Sequence, residues 1–222
     1  MKNSIEKFLG FLLTASVPVV ISVLSILILL SPVFMNLEYT RPGFPPDQYG
    51  FTTQERLIFG NQTRRYLISN MSLADLEELQ FDDGESIYIE RELQHLEDVK
   101  VVLKGVLKVF WVAVSFTLIG AVFAHYQAWW DGYKRAISKG GWLTTALLGL
   151  VLILSIVSFQ ALFTNFHLIF FEGNSWLFYY SDTLIRLFPI RFWQDIFLVL
   201  GITTLSGGIL VGWLLKDKRD SS

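Results

Sequence analysis

The chain has 222 residues, 52% of them hydrophobic and only 17% charged, with a formal net charge of −2 and a mean hydropathy of +0.46. Soluble domains are about 25% charged, so this balance argues against an ordinary water-soluble globule. There is no cysteine, which excludes disulfides, thiol nucleophiles, Cys-type zinc sites and a thioether-linked lipid on this chain.

Four apolar stretches, about 8–30, 103–125, 142–163 and 192–215, are nearly free of charge. A hydrocarbon core of about 30 Å needs about 20 helical residues, and each stretch is long enough. Backbone polar groups cannot stay unpaired in lipid, so each is expected to be a helix. The composition and spans predict an all-α membrane protein with four transmembrane helices. The first stretch follows Lys2 and Lys7, which resemble the basic start of a signal peptide. Its apolar run is too long for such a signal and no small-residue cleavage pattern follows, so a retained anchor is expected.

Residues 31–102 are acidic and mainly helical in expectation. Arg41-Pro-Gly-Phe-Pro-Pro46 cannot be helical throughout. Thr53 is the expected N-cap of a helix reaching about Ser69. Ser72, with Asp75 three residues on, begins a second capped turn, and Asp82-Asp-Gly84 reads as a turn. From about Glu90 a helix runs through His95 into the second span. The connection from Tyr126 to Trp142 is rich in Trp and Tyr, the residues of a headgroup belt, and His125 beside it reads as an interface residue. Residues 164–191 are too polar to span and too aromatic for a free linker, so a re-entrant or interfacial segment is expected.

Lys and Arg near span ends set orientation. Lys2 and Lys7, then Lys134, Arg135 and Lys139, then Lys216, Lys218 and Arg219 fall on one side of an even number of spans. Lys100, Lys104, Lys108, Arg186 and Arg191 oppose them, and Lys104 and Lys108 can snorkel or pair with acids. The expected topology is N-in and C-in. Residues 1–222 then form a single membrane domain with an extracytoplasmic cap (31–102) and an outer interfacial segment (164–191).

Three constellations on that outer side carry chemistry. In Glu92-Leu-Gln-His95-Leu-Glu-Asp98, helical spacing makes His95 and Asp98 neighbours, and a carboxylate fixes an imidazole's tautomer; the bland reading is a solvated charged face. His167 follows the third span, where an ionisable group is costly; the alternative is a histidine capping the helix C-terminus. Asp182 and Arg186 are four apart and can pair, while Arg186 can instead bind a carbonyl oxygen or a lipid phosphate, or simply anchor in headgroups. Ser175 and Ser181 lie near His167 but without a nucleophile-elbow motif. His95, Asp98, His167 and Glu172 lack the spacing of a known zinc motif. No metal, cofactor or nucleic-acid partner is expected. Gly208-Ile-Leu-Val-Gly212 is a small-residue pattern suited to close helix packing. Asn61-Gln-Thr and Asn70-Met-Ser match the glycosylation sequon, which is uninformative without a host.

Three blocks, Glu90–Lys100, His167–Phe178 and Asp182–Trp193, together with the span order and the Pro-rich outer loop, resemble the lipoprotein intramolecular transacylase (Lit) family of bacterial integral membrane proteins. The resemblance covers nearly the whole chain. It departs at Asn174, where many relatives are expected to carry an acidic residue. It implies an acyltransferase at the outer face of the plasma membrane, acting on a lipoprotein whose N-terminal cysteine bears a diacylglycerol thioether. The sn-2 acyl chain would move to the free α-amine, leaving an N-acylated lyso-form. The family's two histidines map onto His95 and His167, as base and as oxyanion stabiliser in either order, with Asp98, Trp176, Asp182 and Arg186 in support. Arg186 is an alternative oxyanion donor. The competing readings are a non-catalytic lipid or envelope-protein binder and another interfacial acyl hydrolase or acyltransferase.

Overall fold

A computed structural model describes residues 2–81 and 83–215. Lys216, Lys218, Arg219, Asp82 of the expected turn and the side chain of Lys2 lie outside what is described. The described residues form α1 (Lys2–Leu29), α2 (Pro32–Thr40), α3 (Thr53–Ile68), α4 (Ala74–Glu77), α5 (Glu90–Tyr126), α6 (Trp130–Val157), α7 (Phe159–Phe170), α8 (Thr183–Leu187) and α9 (Ile190–Leu214). The β-structure among them is one isolated bridge between Gln80 and Ser86. Helices α1, α5, α6 and α9 are long and apolar enough to cross a membrane. At about 1.5 Å per residue, α5 exceeds a hydrocarbon core of about 30 Å, and its charged first turns precede the apolar stretch.

The described residues divide into two compact units, 2–27, 106–157 and 198–215 in one, and 28–105 and 158–197 in the other. In the first unit, small residues let helices approach closely. A Cβ on Gly141 would lie 2.5 Å from the Gly212 nitrogen and 2.6 Å from the Gly208 oxygen, so the small-residue pattern of α9 packs against α6 within the chain. Hydroxyls add polar ties. Ser138 donates to the Gly212 carbonyl at 2.8 Å and Thr14 to the Ala136 carbonyl at 3.0 Å. Leu13, Val17, Ala136 and Ile137 form the buried cluster. Trp111, Val112, Ile119 and Val122 face outward, as lipid-facing helices require.

The second unit holds α2, α3, α4, α7, α8 and the first turns of α5. Its core is Phe51, Tyr66, Leu76, Ile87, Tyr88, Leu93, Leu96, Leu184 and Leu187. Ser31 caps α2, with Pro32 at the first helical position, where its missing N–H costs nothing. The cap of α3 is Thr52, one residue before the expected Thr53. Thr52 accepts from the Glu55 N–H and Glu55 reaches back to the Thr52 N–H at 2.7 Å, a reciprocal box that Thr53 has no partner to form. Ser72 and Asp75 exchange the same pair of bonds at the start of α4.

The third apolar stretch is divided. Helix α6 ends at Val157, and Ser158 takes an extended conformation from which its hydroxyl accepts the Ala161 N–H at 3.2 Å and opens α7. A serine N-cap competes with helix continuation by offering the backbone another partner. Helix α7 exposes Leu168, Ile169 and Phe170 on one side and buries His167 on the other.

Candidate functional site

The second unit brings His95 from α5 and His167 from α7 together. Their rings are nearly parallel, 22° apart, with centroids 6.0 Å apart. Both are buried, at 9% and 7% exposure, so little bulk water reaches either. Aromatic rings complete the enclosure. Phe171 and Phe178 meet His95 edge-on at 4.9 and 5.4 Å, and Phe163 and Trp176 lie 4.2 and 5.0 Å from the His167 ring.

The His167 tautomer follows from its partner. Its Nδ1 lies 2.8 Å from the Phe163 carbonyl oxygen, which can only accept. Nδ1 therefore carries the hydrogen, and in the neutral ring Nε2 keeps a lone pair. Burial pushes the His167 imidazole below its ordinary value of 6.5, outweighing the upward pull of the Phe163 carbonyl. His167 is thus a neutral base at neutral pH.

Three buried polar atoms of this region have no hydrogen-bond partner among the described residues: His95 Nδ1, Trp176 Nε1 and Arg91 Nε. An unsatisfied buried group costs about 1–3 kcal/mol, and such costs persist where a ligand supplies the missing partner.

The charged residues have other partners than the sequence suggests. Asp98 is not bonded to His95; it accepts the Ser175 hydroxyl at 3.3 Å. Ser175 is therefore a tether of the 172–178 loop. Asp182 and Arg186 do not pair. Asp182 accepts from Arg91 Nη2 at 2.7 Å and from the Tyr179 N–H at 2.9 Å. Arg186 gives Nε and Nη2 to Asp47 at 3.2 and 3.1 Å, gives Nη2 also to the Tyr49 carbonyl, and stacks 3.6 Å from the Phe51 centroid. An i,i+4 pair needs a helix through both residues, whereas α8 is one short turn whose N-cap is Asp182, so the two side chains diverge. Burial raises the Asp47 carboxyl, but the Arg186 hydrogen bonds and the Phe51 N–H together hold it below its ordinary value. Arg186 is committed to Asp47, Tyr49 and Phe51. Glu92, three residues before His95, is wholly buried and binds the backbone N–H groups of Ile89 and Leu184.

An open groove of about 590 Å³ is lined by Glu90, Arg91 and Gln94 of α5 and by Glu172, Gly173, Asn174, Ser175 and Leu177 of the loop after α7. Neither imidazole lines it, but each side of the groove neighbours a site residue in sequence: Gln94 precedes His95, and Ser175 precedes Trp176. Asp47, Arg91 and Phe171 escape a reading by motif because their contacts are long-range. The Phe163–His167 bond was findable, since those residues are four apart on one helix.

Comparison with known proteins agrees across sequence and fold. Residues 11–193 match the family described as lipoprotein intramolecular transacylase Lit. A protein of Aquifex aeolicus (strain VF5), described as uncharacterized, is 31% identical over 212 residues, covering 93% of this chain and 92% of its own length. The in meso structure of the membrane integral lipoprotein intramolecular transacylase Lit from Bacillus cereus superposes with a TM-score of 0.74 at 20% identity, covering 99% of this chain and 100% of its own. A variant of that protein with one histidine replaced by alanine superposes at 0.59 and 16% identity, over 100% of this chain and 98% of its own.

Proposed function

The chain belongs to the lipoprotein intramolecular transacylase Lit family, and we propose that it transfers the sn-2 acyl chain of an N-terminal diacylglyceryl-cysteine to that cysteine's α-amine, at the outer face of a bacterial plasma membrane. Nucleophile and ester belong to one substrate molecule. The protein's task is to hold them in near-attack geometry, an effect worth up to about 7–11 kcal/mol in well-oriented systems.

The observation that carries this reading is the buried imidazole pair with His167 Nε2 free to accept a proton. The amine must lose a proton as it attacks, and the departing glycerol oxygen must gain one. His167 takes the first and returns it to the second, and His95 presents its unpartnered Nδ1 to the same reacting groups. Such positioned acid–base catalysis is worth about 100- to 10,000-fold. The surrounding Phe rings keep water from competing with the amine for the ester, which favours transfer over hydrolysis.

The test is co-expression with a diacylglyceryl-modified lipoprotein and mass spectrometry of its N-terminal peptide. Wild type is expected to yield the N-acyl lyso-form. His95→Ala and His167→Ala are expected to insert normally and lose the product. Acyl chains that stay on glycerol with wild type overturn the reading. Released fatty acid identifies a hydrolase, and full activity of both variants favours a non-catalytic binder.

A further inference from the structure

We propose that the Trp176 indole N–H is the donor that stabilises the oxyanion of the acyl transfer, and that Asp98 positions it through Ser175. The inference rests on the transacylase reading above. Trp176 Nε1 is a buried donor without a partner, and its ring lies 5.0 Å from the imidazole of His167. An indole nitrogen donates only and does not titrate, so it offers the same hydrogen bond whatever the protonation state of the histidines. Arg186 is engaged with Asp47 and the Tyr49 carbonyl, and His167 Nδ1 with the Phe163 carbonyl; of the two other unpartnered atoms, Arg91 Nε belongs to a guanidinium tied to Asp182, and His95 Nδ1 donates only in one tautomer.

The loop that carries Trp176 is held from both ends. Its preceding residue, Ser175, donates to Asp98, which stands one helical turn beyond His95 on α5. Phe178, two residues on, meets His95 edge-on. The Asp98–Ser175 bond therefore sets where the indole stands relative to the two imidazoles.

The step balances within one substrate. The amine nitrogen forms a bond to the sn-2 ester carbonyl carbon, and the carbonyl π pair moves to oxygen, where Trp176 Nε1–H meets the developing charge. The C=O bond then re-forms and the bond from carbon to the glycerol oxygen breaks. The amine proton, taken by His167 Nε2, passes to that oxygen, so no further reagent is consumed.

The experiment uses the full-length protein with a diacylglyceryl lipopeptide and follows N-acyl product by mass spectrometry. Trp176→Phe keeps an aromatic ring and removes the donor; kcat is expected to fall about 100- to 1,000-fold, as for loss of one oxyanion donor, with KM little changed. Trp176→benzothienylalanine keeps the bicyclic shape and puts sulfur in place of N–H, and the same fall is expected. Wild-type kcat in that isostere, or a rise in KM alone, overturns the proposal. Asp98→Ala is expected to lower kcat, and Asp98→Asn, which keeps an acceptor for the Ser175 hydroxyl, to restore it; equal activity of Asp98→Ala and wild type overturns the positioning role. Absence of N-acyl product from wild type sinks the transacylase reading instead, so the two failures are distinguishable.

Discussion

The carboxylate of Glu92, wholly buried, accepts the Leu184 N–H at 2.6 Å with one oxygen and the Ile89 N–H at 2.9 Å with the other. One side chain thereby caps two helices. Ile89 precedes α5, and Leu184 belongs to the first turn of α8, whose own N-cap Asp182 makes no capping bond. Glu92→Ala strands both donors. Hydrogen bonds to charged groups contribute about 1.5–3 kcal/mol each, so a loss of about 3 kcal/mol is expected in denaturant unfolding in detergent, and a smaller loss for Glu92→Gln, which keeps one acceptor. Equal stability of Glu92→Ala and wild type would falsify the capping role.

The His167 tautomer has a spectroscopic consequence. In protein labelled with ¹⁵N-histidine, Nδ1 of His167 should carry the hydrogen and Nε2 should be bare at neutral pH. Because burial depresses its folded value, titration should be centred below 6.5. The sign for stability follows. The unfolded chain binds the proton first, so His167's contribution is complete above pH 6.5 and is lost as pH falls through the folded value. A midpoint at or above 6.5 contradicts the buried, neutral assignment.

Asp47 behaves as a carboxylate held by a cation. Its folded value lies below the ordinary 3.8, so its contribution is present above that pH and declines as pH falls through the folded value. Acid unfolding of wild type should therefore steepen below about pH 4, and Asp47→Asn should flatten that limb. An identical acid limb in the two proteins would show that Arg186 does not stabilise the ionised form.

The glycines of α6 give a paired control. A Cβ on Gly141 meets the backbone of Gly208 and Gly212, whereas one on Gly149 meets nothing within 4 Å. Gly141→Ala is expected to destabilise by about 1–3 kcal/mol, since backbone cannot yield as a side chain can. Gly149→Ala should be neutral or stabilise by about 0.5–1 kcal/mol through the better helix former. Thermal scans in one detergent compare the two, and similar shifts would rule out the close α6–α9 contact.

Much of the architecture was legible from local chemistry. The four apolar runs, the helix start at Glu90, the Ser72–Asp75 turn and the small-residue stripe at Gly208 and Gly212 each depend on neighbours within a few residues. The break at Ser158 was not legible, because a serine in an apolar run reads as tolerated until its hydroxyl is seen capping the next helix. His95 and His167 stood out by residue type, since few side chains can move protons near neutral pH. Their partners did not. Helical spacing allowed Asp98 beside His95, but Asp98 binds Ser175; it also allowed an Asp182–Arg186 pair, where there are two separate pairs, Asp182 with Arg91 and Arg186 with Asp47.

The division has one physical cause. Hydrophobic runs, caps and titratable side chains are properties of short segments and are written in linear order. Which carboxylate meets which cation, and which imidazole keeps a free lone pair, depends on how distant segments pack. At His167 a carbonyl four residues away orients the ring, but only the convergence of α5, α7 and the 172–178 loop makes its environment dry and places a second imidazole beside it.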